Sequence, residues 1–286
     1  MNLMKREAAL NYVWLVPALF PIFLFLIYPI FYNINLAFND FPKSFLSVIE
    51  DPIFRLALRN SLVFALAGAT LTLVLALLVA VIITSRESSF GMWVAILTLL
   101  VWVTPEIVTA ISWNWMLNST FGIVNWILIW CGLLKTGIPW LGDPLYAPII
   151  VILLTVWRLL PFLALLFICG ILSIPAEYLE AARVDGLKFR YIFKHILFPA
   201  LRYPIIIAYI LIFVWFMNDT AMIMATTGGG PLHLTETVAT LIYKTGFNYF
   251  KFEEAAAMSI IQFSILLAIC IPFLLAFRKY WWLMRE

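Results

Sequence analysis

Six apolar runs, each near the length needed to cross a bilayer, follow one another along the chain. A helix of about 20 residues crosses a hydrocarbon core of about 30 Å, and it satisfies its own backbone hydrogen bonds in lipid. The pattern therefore predicts an all-α membrane protein with six transmembrane helices. The predicted helices are roughly Tyr12–Ala37, Leu56–Ile83, Met92–Leu117, Ala147–Leu172, Pro204–Ala225 and Ala255–Phe277.

The positions of Lys and Arg predict the orientation of these helices. Of the 18 Lys and Arg residues, eleven lie on the side of the membrane that holds the N-terminus, six lie on the other side, and Arg158 lies within the fourth run. Cytoplasmic segments carry the excess of basic residues in membrane proteins. We therefore predict that both termini are cytoplasmic.

Composition agrees with a membrane protein and excludes several functions. Hydrophobic residues make up 65% of the chain and charged residues 12%, with a mean hydropathy of +1.04, whereas soluble domains have about 25% charged residues. The net charge of +3 follows from the basic cytoplasmic segments and gives no reason to expect nucleic-acid binding. The three cysteines show neither metal-ligand nor disulfide spacing. No Gly is followed by Lys, so the chain lacks a phosphate-binding loop and is not expected to hydrolyse ATP.

The connections between the runs are too short for separate folded domains, so we predict a single membrane domain over residues 1–286. Gly and Pro punctuate the connection between the third and fourth runs. Within it, Ile123–Leu134 predicts a short interfacial helix, because Trp126 and Trp130 are typical of membrane interfaces.

A charged segment separates the fourth and fifth runs. Its pattern is Glu-Ala-Ala at 180–182, three intervening residues, Gly186, nine intervening residues, and Ile-Leu-Phe-Pro at 196–199. The pattern predicts two short helices joined by a turn at Gly186, where a residue without Cβ tolerates positive φ. Pro199 is predicted to end the second helix, and Pro204 to begin the next membrane helix. A basic amphipathic helix lying on anionic lipid would explain the charges, but it would not require these small residues at these offsets.

This segment resembles the cytoplasmic coupling motif of permease subunits in binding-protein-dependent ABC importers. That motif reads Glu-Ala-Ala, three residues, Gly, nine residues, Ile, one residue, Leu-Pro; here Phe198 stands where Leu is usual. The resemblance implies a cytoplasmic coupling helix between helices 4 and 5, within a coupling segment of about residues 174–199. The residues that it assigns to ATPase coupling are Glu180, Ala181, Ala182, Asp185, Gly186, Ile196 and Pro199.

The resemblance also implies the partners and the mechanism. A second permease, expected to differ from this one, would complete the pathway in the prokaryotic inner membrane, and an extracytoplasmic binding protein would deliver substrate. Two cytoplasmic ATPases would bind ATP and Mg, so this chain is expected to bind no cofactor and to be no enzyme. Closure of the two ATPases around ATP would switch the pathway between inward-facing and outward-facing states.

Two further stretches indicate the substrate class. The residues Trp157, Arg158, Pro161 and Phe162 are similar to the fourth helix of sugar-type permeases. The sequence Thr-Gly-Gly-Gly-Pro at 227–231 looks like the Thr-Gly-Gly-Pro loop of permeases of the maltose and glycerol-phosphate type. The resemblance implies transport of a sugar or a related polyol or glycoside. The candidate contacts for the binding protein are Gly228, Gly229, Gly230 and Pro231, which otherwise simply form a turn.

Polar residues within membrane helices are candidates for substrate contact, because lipid does not satisfy them. Amide and carboxylate groups bind sugar hydroxyls, and aromatic rings cover the apolar faces of sugars. The resulting candidates are Trp113, Asn114, Trp115, Trp215, Asn218, Asp219 and Gln262.

Structural roles compete with substrate contact at most of these positions. Arg158 is expected to pair with Glu106 or a carbonyl group more readily than with substrate. Asn218 and Asp219 equally suit a helix cap, and Gln262 equally suits a bridge between helices. Trp113 and Trp115 also suit the aromatic belt at the membrane interface.

An ion-coupled secondary carrier is the alternative function, with Glu106, Arg158 and Asp219 as an intramembrane relay. Such carriers are typically built from inverted repeats with broken helices. No repeat is visible in the sequence, which favours the importer permease.

Overall fold

The computed structural model describes residue 17 and residues 19–85 and 89–282, and every regular element in these ranges is helical. The part of the first predicted run before residue 17 lies outside them. We number the helices α1 Leu19–Asn39, α2 Lys43–Glu50, α3 Pro52–Ser85, α4 Ser89–Val103, α5 Glu106–Met116, α6 Ile123–Trp130, α7 Tyr146–Leu172, α8 Ala176–Val184, α9 Phe189–Met217, α10 Ala221–Thr226, α11 Val238–Tyr243 and α12 Phe252–Trp282.

The predicted membrane pattern is confirmed, with two corrections to its helices. Within the described residues, five helices are long and apolar enough to cross a membrane, and a bent pair gives a sixth. These helices are α1, α3, α7, α9 and the first part of α12, and the bent pair is α4 with α5. The short helix predicted from Ile123 is also present, and it ends at Trp130 rather than Leu134.

The first correction concerns the third run, which was predicted as one helix. The chain bends by 97° between α4 and α5, at Thr104 and Pro105. Pro105 has an extended backbone (φ −54°, ψ 134°) and lacks the N–H that a continuous helix would use. Its ring also disfavours the helical conformation at Thr104. The prediction of one continuous helix over Met92–Leu117 is therefore wrong.

The second correction concerns the start of the fifth run. Helix α9 begins at Phe189 and continues through Pro199 and Pro204 to Met217, so the predicted break at Pro199 is wrong. A widened turn at Phe193–Leu197 directly precedes Pro199, with the Phe198 N–H bonded to the Phe193 carbonyl. Such π-type turns rearrange carbonyl groups within a helix, which accommodates a residue without an N–H.

The described chain clusters into two compact units, residues 52–241 with 264–286 and residues 1–51 with 242–263. The core of the larger unit forms where α3 packs along α7, with α9 against both. Alanines 65, 69, 76 and 80 form a fully buried stripe on α3. Small residues let membrane helices approach closely, and this contact fixes α7, which carries Arg158.

The smaller unit contains α1, α2 and the start of α12. Within it, Ser259 Oγ on α12 donates a hydrogen bond to Asn33 Oδ1 on α1 at 2.9 Å. Gln262 lies one turn further along α12 and is 4% exposed. The prediction of one membrane domain over residues 1–286 stays a prediction.

Candidate functional site

A cavity of about 530 Å³ opens in the larger unit, where the α4–α5 bend, the middle of α7 and the end of α9 meet. This volume lies in the range of sites that bind small molecules, about 300–1,000 Å³. The lining residues combine charged, amide, hydroxyl and indole groups. They are Trp102, Glu106, Thr155, Arg158, Leu159, Trp215, Asn218, Asp219, Thr220 and Ala221.

An ion pair between Glu106 and Arg158 lies in the cavity wall. The break at Pro105 makes Glu106 the first residue of α5, where the positive end of the helix dipole favours a carboxylate. Arg158 Nη2 on α7 lies 3.0 Å from Glu106 Oε1, and both side chains are mostly buried. The expected structural pairing of Arg158 with Glu106 is confirmed.

Asp219 both lines the cavity and caps a helix. Its Oδ2 accepts a hydrogen bond from Thr155 Oγ1 at 2.9 Å, and its Oδ1 accepts one from the Met222 N–H at 3.2 Å. The second bond satisfies a free N–H in the first turn of α10. The expected capping role of Asp219 is therefore confirmed, and its role in the substrate pathway stays a prediction.

Aromatic rings form the apolar part of the site. Trp102 stacks on Phe162 with ring centroids 4.8 Å apart, and Phe162 packs against Trp215 at 5.4 Å. Asn218 ends α9, and its Nδ2 donates to the Val214 carbonyl at 2.9 Å. Indole faces beside amide, hydroxyl and carboxylate groups suit a ligand with both apolar faces and many hydroxyls.

The structure brings together three of the seven predicted pathway residues, namely Trp215, Asn218 and Asp219. Trp113 instead packs edge-on against Trp157 with centroids 5.4 Å apart. Asn114 Nδ2 donates to the Thr226 carbonyl at 3.4 Å, and Trp115 is exposed beside Phe121. These three residues lie on the later turns of α5, away from the cavity lining. Gln262 belongs to the smaller unit.

Five lining residues were not predicted from the sequence, namely Trp102, Thr155, Leu159, Thr220 and Ala221. Thr155 lies three residues before Arg158 on α7, so the two share a helix face. That spacing was the available signal for Thr155. Trp102 and Thr220 carried no comparable signal, because their positions depend on the bend at Pro105 and on the end of α9.

The coupling segment has the predicted turn at Gly186. Gly186 follows α8 with φ +68°, and the Leu187 N–H donates to the Ala182 carbonyl at 3.0 Å. This backbone hydrogen bond, next to a residue in the left-handed conformation, forms a Schellman motif. Such a motif ends a helix and redirects the chain. A Cβ at Gly186 would meet nothing within 4 Å, so the conformation, not crowding, requires Gly here.

The predicted coupling residues are distributed over two sides of this segment. Glu180, Ala181, Asp185 and Gly186 are exposed, and so is Pro199. Ala182 is buried within the chain and Ile196 is half-buried, so the two alanines do not share one exposed face. Val184, which the motif does not include, is the most exposed of the large apolar side chains of α8, at 87%.

The Gly-rich loop after α10 has a specific, tightly bonded conformation. Gly228 and Gly229 have φ of +61° and +92°, and the Gly230 N–H closes a turn onto the Thr227 carbonyl at 3.1 Å. A Cβ at Gly229 would collide with the Glu236 carboxylate. The predicted turn at 227–231 is therefore present, and Gly229 is required for its close approach to Glu236.

Side chains of α3 hold this loop in place. Asn60 Nδ2 donates to the His233 carbonyl at 2.9 Å and to the Glu236 carbonyl at 3.0 Å. Ser61 Oγ accepts from the Val238 N–H at 2.9 Å. Leu232, at the tip of the loop, is 77% exposed. The loop is thus a fixed platform on the larger unit.

Comparison with known proteins identifies the family. A family model described as the inner membrane component of binding-protein-dependent transport systems matches residues 72–278. The chain belongs to this family. It is a multi-pass membrane protein and the permease subunit of an importer.

Two relatives and one solved structure illustrate the similarity. A trehalose/maltose transport system permease protein, MalF, of Thermococcus litoralis is 30% identical over 96% of the permease and 95% of its own length. An sn-glycerol-3-phosphate transport system permease protein, UgpA, of Agrobacterium fabrum is 29% identical. This similarity covers 79% of the permease and 76% of the length of UgpA. A chain of a bacterial ABC transporter involved in import of the polysaccharide alginate matches with a TM-score of 0.88 at 21% identity. The match covers 98% of the permease and 99% of that chain. This last similarity supports the fold.

Proposed function

We propose that the permease forms, with a second and different permease subunit, the transmembrane pathway of an ATP-driven importer for a sugar or a related polyol or glycoside. The cavity carries this proposal, because it combines indole rings with hydroxyl, amide and charged groups in one site of the larger unit. The names of the relatives support the substrate class, since they include trehalose/maltose, diacetylchitobiose and sn-glycerol-3-phosphate systems.

The partners follow from the same proposal. Two cytoplasmic ATPases would bind the coupling segment and carry ATP and Mg. An extracytoplasmic binding protein would dock near the loop at 227–237. A solved alginate transporter in complex with a substrate-bound periplasmic protein has the same fold, with a TM-score of 0.84. The predicted orientation, with both termini and the coupling segment in the cytoplasm, belongs to this proposal.

Within this arrangement the residues of the cavity have distinct roles. Trp215 and Asn218 would contact the sugar directly. Thr155 would hold Asp219 in place, and Glu106 would neutralise Arg158. An ion pair of this kind leaves a polar wall without an isolated charge, which is less costly in a membrane protein than an unpaired Arg.

Reconstitution of the complete importer tests the proposal. The chain, its second permease, the ATPases and the binding protein are placed in vesicles, and uptake is measured for trehalose, maltose, diacetylchitobiose and glycerol 3-phosphate. We expect uptake of at least one sugar or polyol that needs internal ATP and persists when a protonophore removes ion gradients. Uptake that needs an ion gradient and proceeds without ATP would instead support the secondary carrier.

A further inference from the structure

Helix α6 has its polar side chain on the inside and its apolar side chains on the outside, which is the reverse of a helix in water. Its one amide side chain, Asn125, is 2% exposed and points inward. Asn125 Nδ2 donates to the carbonyls of Asn118 and Ile138 at 3.0 and 2.9 Å, and its Oδ1 accepts from the Ile138 N–H and from Trp140 Nε1 at 3.0 Å each. Three of these bonds tie the helix to the loop that follows it, and the bond to Asn118 ties it to the turn that precedes it.

The outward face of α6 is apolar throughout. From Phe121 to Leu134 the chain has no charged residue, and Asn125 is its one amide. Helix α8, of similar length, instead exposes Glu177 and Glu180. A solvated helix needs polar residues on its exposed face, so the α6 face is suited to an apolar environment. Its exposed apolar side chains are Ile123, Trp126, Ile127, Ile129 and Trp130, followed by Leu133.

The apolar face of α6 continues that of a membrane-spanning segment. On α5, Ile107, Ile111 and Trp115 are exposed at intervals of four residues. The Trp115 ring contacts Phe121, just before α6, with centroids 5.8 Å apart. This stripe belongs to the bent pair that counts as a membrane span. The lipid-facing surface of that span therefore extends to the start of α6.

Aromatic residues and polar borders indicate the depth at which α6 lies. Trp126 and Trp130 stack with centroids 6.3 Å apart and are 60% and 77% exposed. Trp is enriched where the hydrocarbon core meets the headgroups. Exposed polar residues border the apolar face on both sides, Thr120 before it and Lys135 after it. This order of residues matches a helix at the boundary between headgroups and acyl chains.

We propose that α6 lies in the interfacial layer of one membrane leaflet, with its tryptophans and isoleucines in contact with lipid. Interfacial helices bury their apolar face about 5–10 Å into the boundary between headgroups and acyl chains. The buried Asn125 fixes the rotation of the helix, so that the apolar face meets the bilayer. Helix α6 thereby anchors the α5–α7 connection, and the bilayer is its partner rather than another protein.

Collision measurements on a nitroxide label test this placement. Cys131 directly follows α6 and is exposed, so it is labelled in the assembled importer without any substitution in the helix, after Cys169→Ala and Cys270→Ala. The importer is reconstituted in vesicles of phosphatidylethanolamine and phosphatidylglycerol. Oxygen, which concentrates in lipid, should relax the label more than a water-soluble nickel chelate does. A label at Thr136→Cys, in a Cys131→Ala background, is the matched control and should show the reverse preference.

Two results would overturn the proposal. A label at Cys131 that prefers the nickel chelate as strongly as the control would place α6 in water. A strongly immobilised label that neither reagent reaches would place α6 against a partner protein. Uptake activity measured on the same labelled samples establishes that the importer has folded.

Discussion

Thr155 Oγ1 donates a hydrogen bond of 2.9 Å to Asp219 Oδ2 across the interface between α7 and the end of α9. Asp219 also caps α10 through the Met222 N–H, and α10 ends at the loop of residues 227–237. One carboxylate therefore joins the cavity wall to the element that carries the loop. Changes at Thr155 should affect the cavity and the helix cap together.

Thr155→Val tests this link, because it removes the hydroxyl and nearly preserves the shape of the side chain. The carboxyl oxygen of Asp219 loses its donor, and a buried acceptor left without a partner costs about 1–3 kcal/mol. We expect a lower thermal unfolding temperature and weaker substrate uptake. Thr155→Ser retains the donor and should behave like the wild type; equal losses in both variants would show that packing matters rather than the bond.

Asn218→Ala and Asn114→Ala form a matched pair of amide deletions. Asn218 lines the cavity, whereas Asn114 lies outside its lining and bonds the Thr226 carbonyl. A hydrogen bond to a buried hydroxyl contributes about 0.5–1.5 kcal/mol, or roughly a twofold to tenfold change in affinity. Concentration-dependent uptake should show this loss of affinity for Asn218→Ala but not for Asn114→Ala. Unchanged affinity in Asn218→Ala would remove Asn218 from the pathway, and an equal loss in both variants would show that the effect is not specific to the cavity.

The number and type of membrane helices could be predicted from sequence because run length and composition suffice for them. The turn at Gly186 could also be predicted, because few residues other than Gly adopt positive φ without strain. The effect of each Pro was harder to predict. Pro105 breaks a span, whereas α9 continues through Pro199 and Pro204. The residue after Pro105 is Glu106, and an acidic residue after Pro is typical of a helix start.

The residues that line the cavity could be predicted near the end of α9 but not on α5. Trp215 lies in the last turn of α9, and Asn218 and Asp219 directly follow it, so their closeness in sequence reflects their closeness in space. Trp113 and Trp115 follow the 97° bend, which directs the later turns of α5 away from the cavity lining. Apolar periodicity along the chain contains no information about such a bend.

Gly229→Ala and Gly230→Ala compare two positions in the same loop. Gly229 has φ +92° and no room beside Glu236, whereas a Cβ at Gly230 meets the Thr227 carbonyl at 3.4 Å. A non-Gly residue in such a conformation costs about 1–3 kcal/mol before any collision is counted. We expect Gly229→Ala to reduce the stimulation of ATPase activity by the binding protein and Gly230→Ala to leave most of it. If Gly229→Ala keeps full stimulation, the loop is not a docking element.

Val184→Cys and Leu232→Cys test the predicted orientation, because both side chains are highly exposed, at 87% and 77%. In intact cells, with Cys131, Cys169 and Cys270 replaced by Ala, a thiol reagent that does not cross the membrane should label position 232 and miss position 184. After permeabilisation both positions should react. The opposite order in intact cells would reverse the orientation and separate the coupling segment from cytoplasmic ATPases.

The coupling role of Gly186 is the central claim, and the chain provides controls for it. Gly186→Val places a β-branched residue at φ +68°, and a left-handed conformation costs such a residue roughly 1–2 kcal/mol. Gly186→Asn is tolerated better in that conformation. Gly132 has φ +73° and equally open surroundings, so Gly132→Val introduces similar strain at a site outside the coupling segment.

The most direct measurement is ATP-driven uptake by the reconstituted importer, recorded together with the amount of ATPase that co-purifies with the permeases. We predict that Gly186→Val inserts and pairs normally but loses ATPase association or transport, while Gly186→Asn and Gly132→Val retain both. Wild-type ATPase association and uptake in Gly186→Val would contradict the assignment of residues 174–199 as the coupling segment.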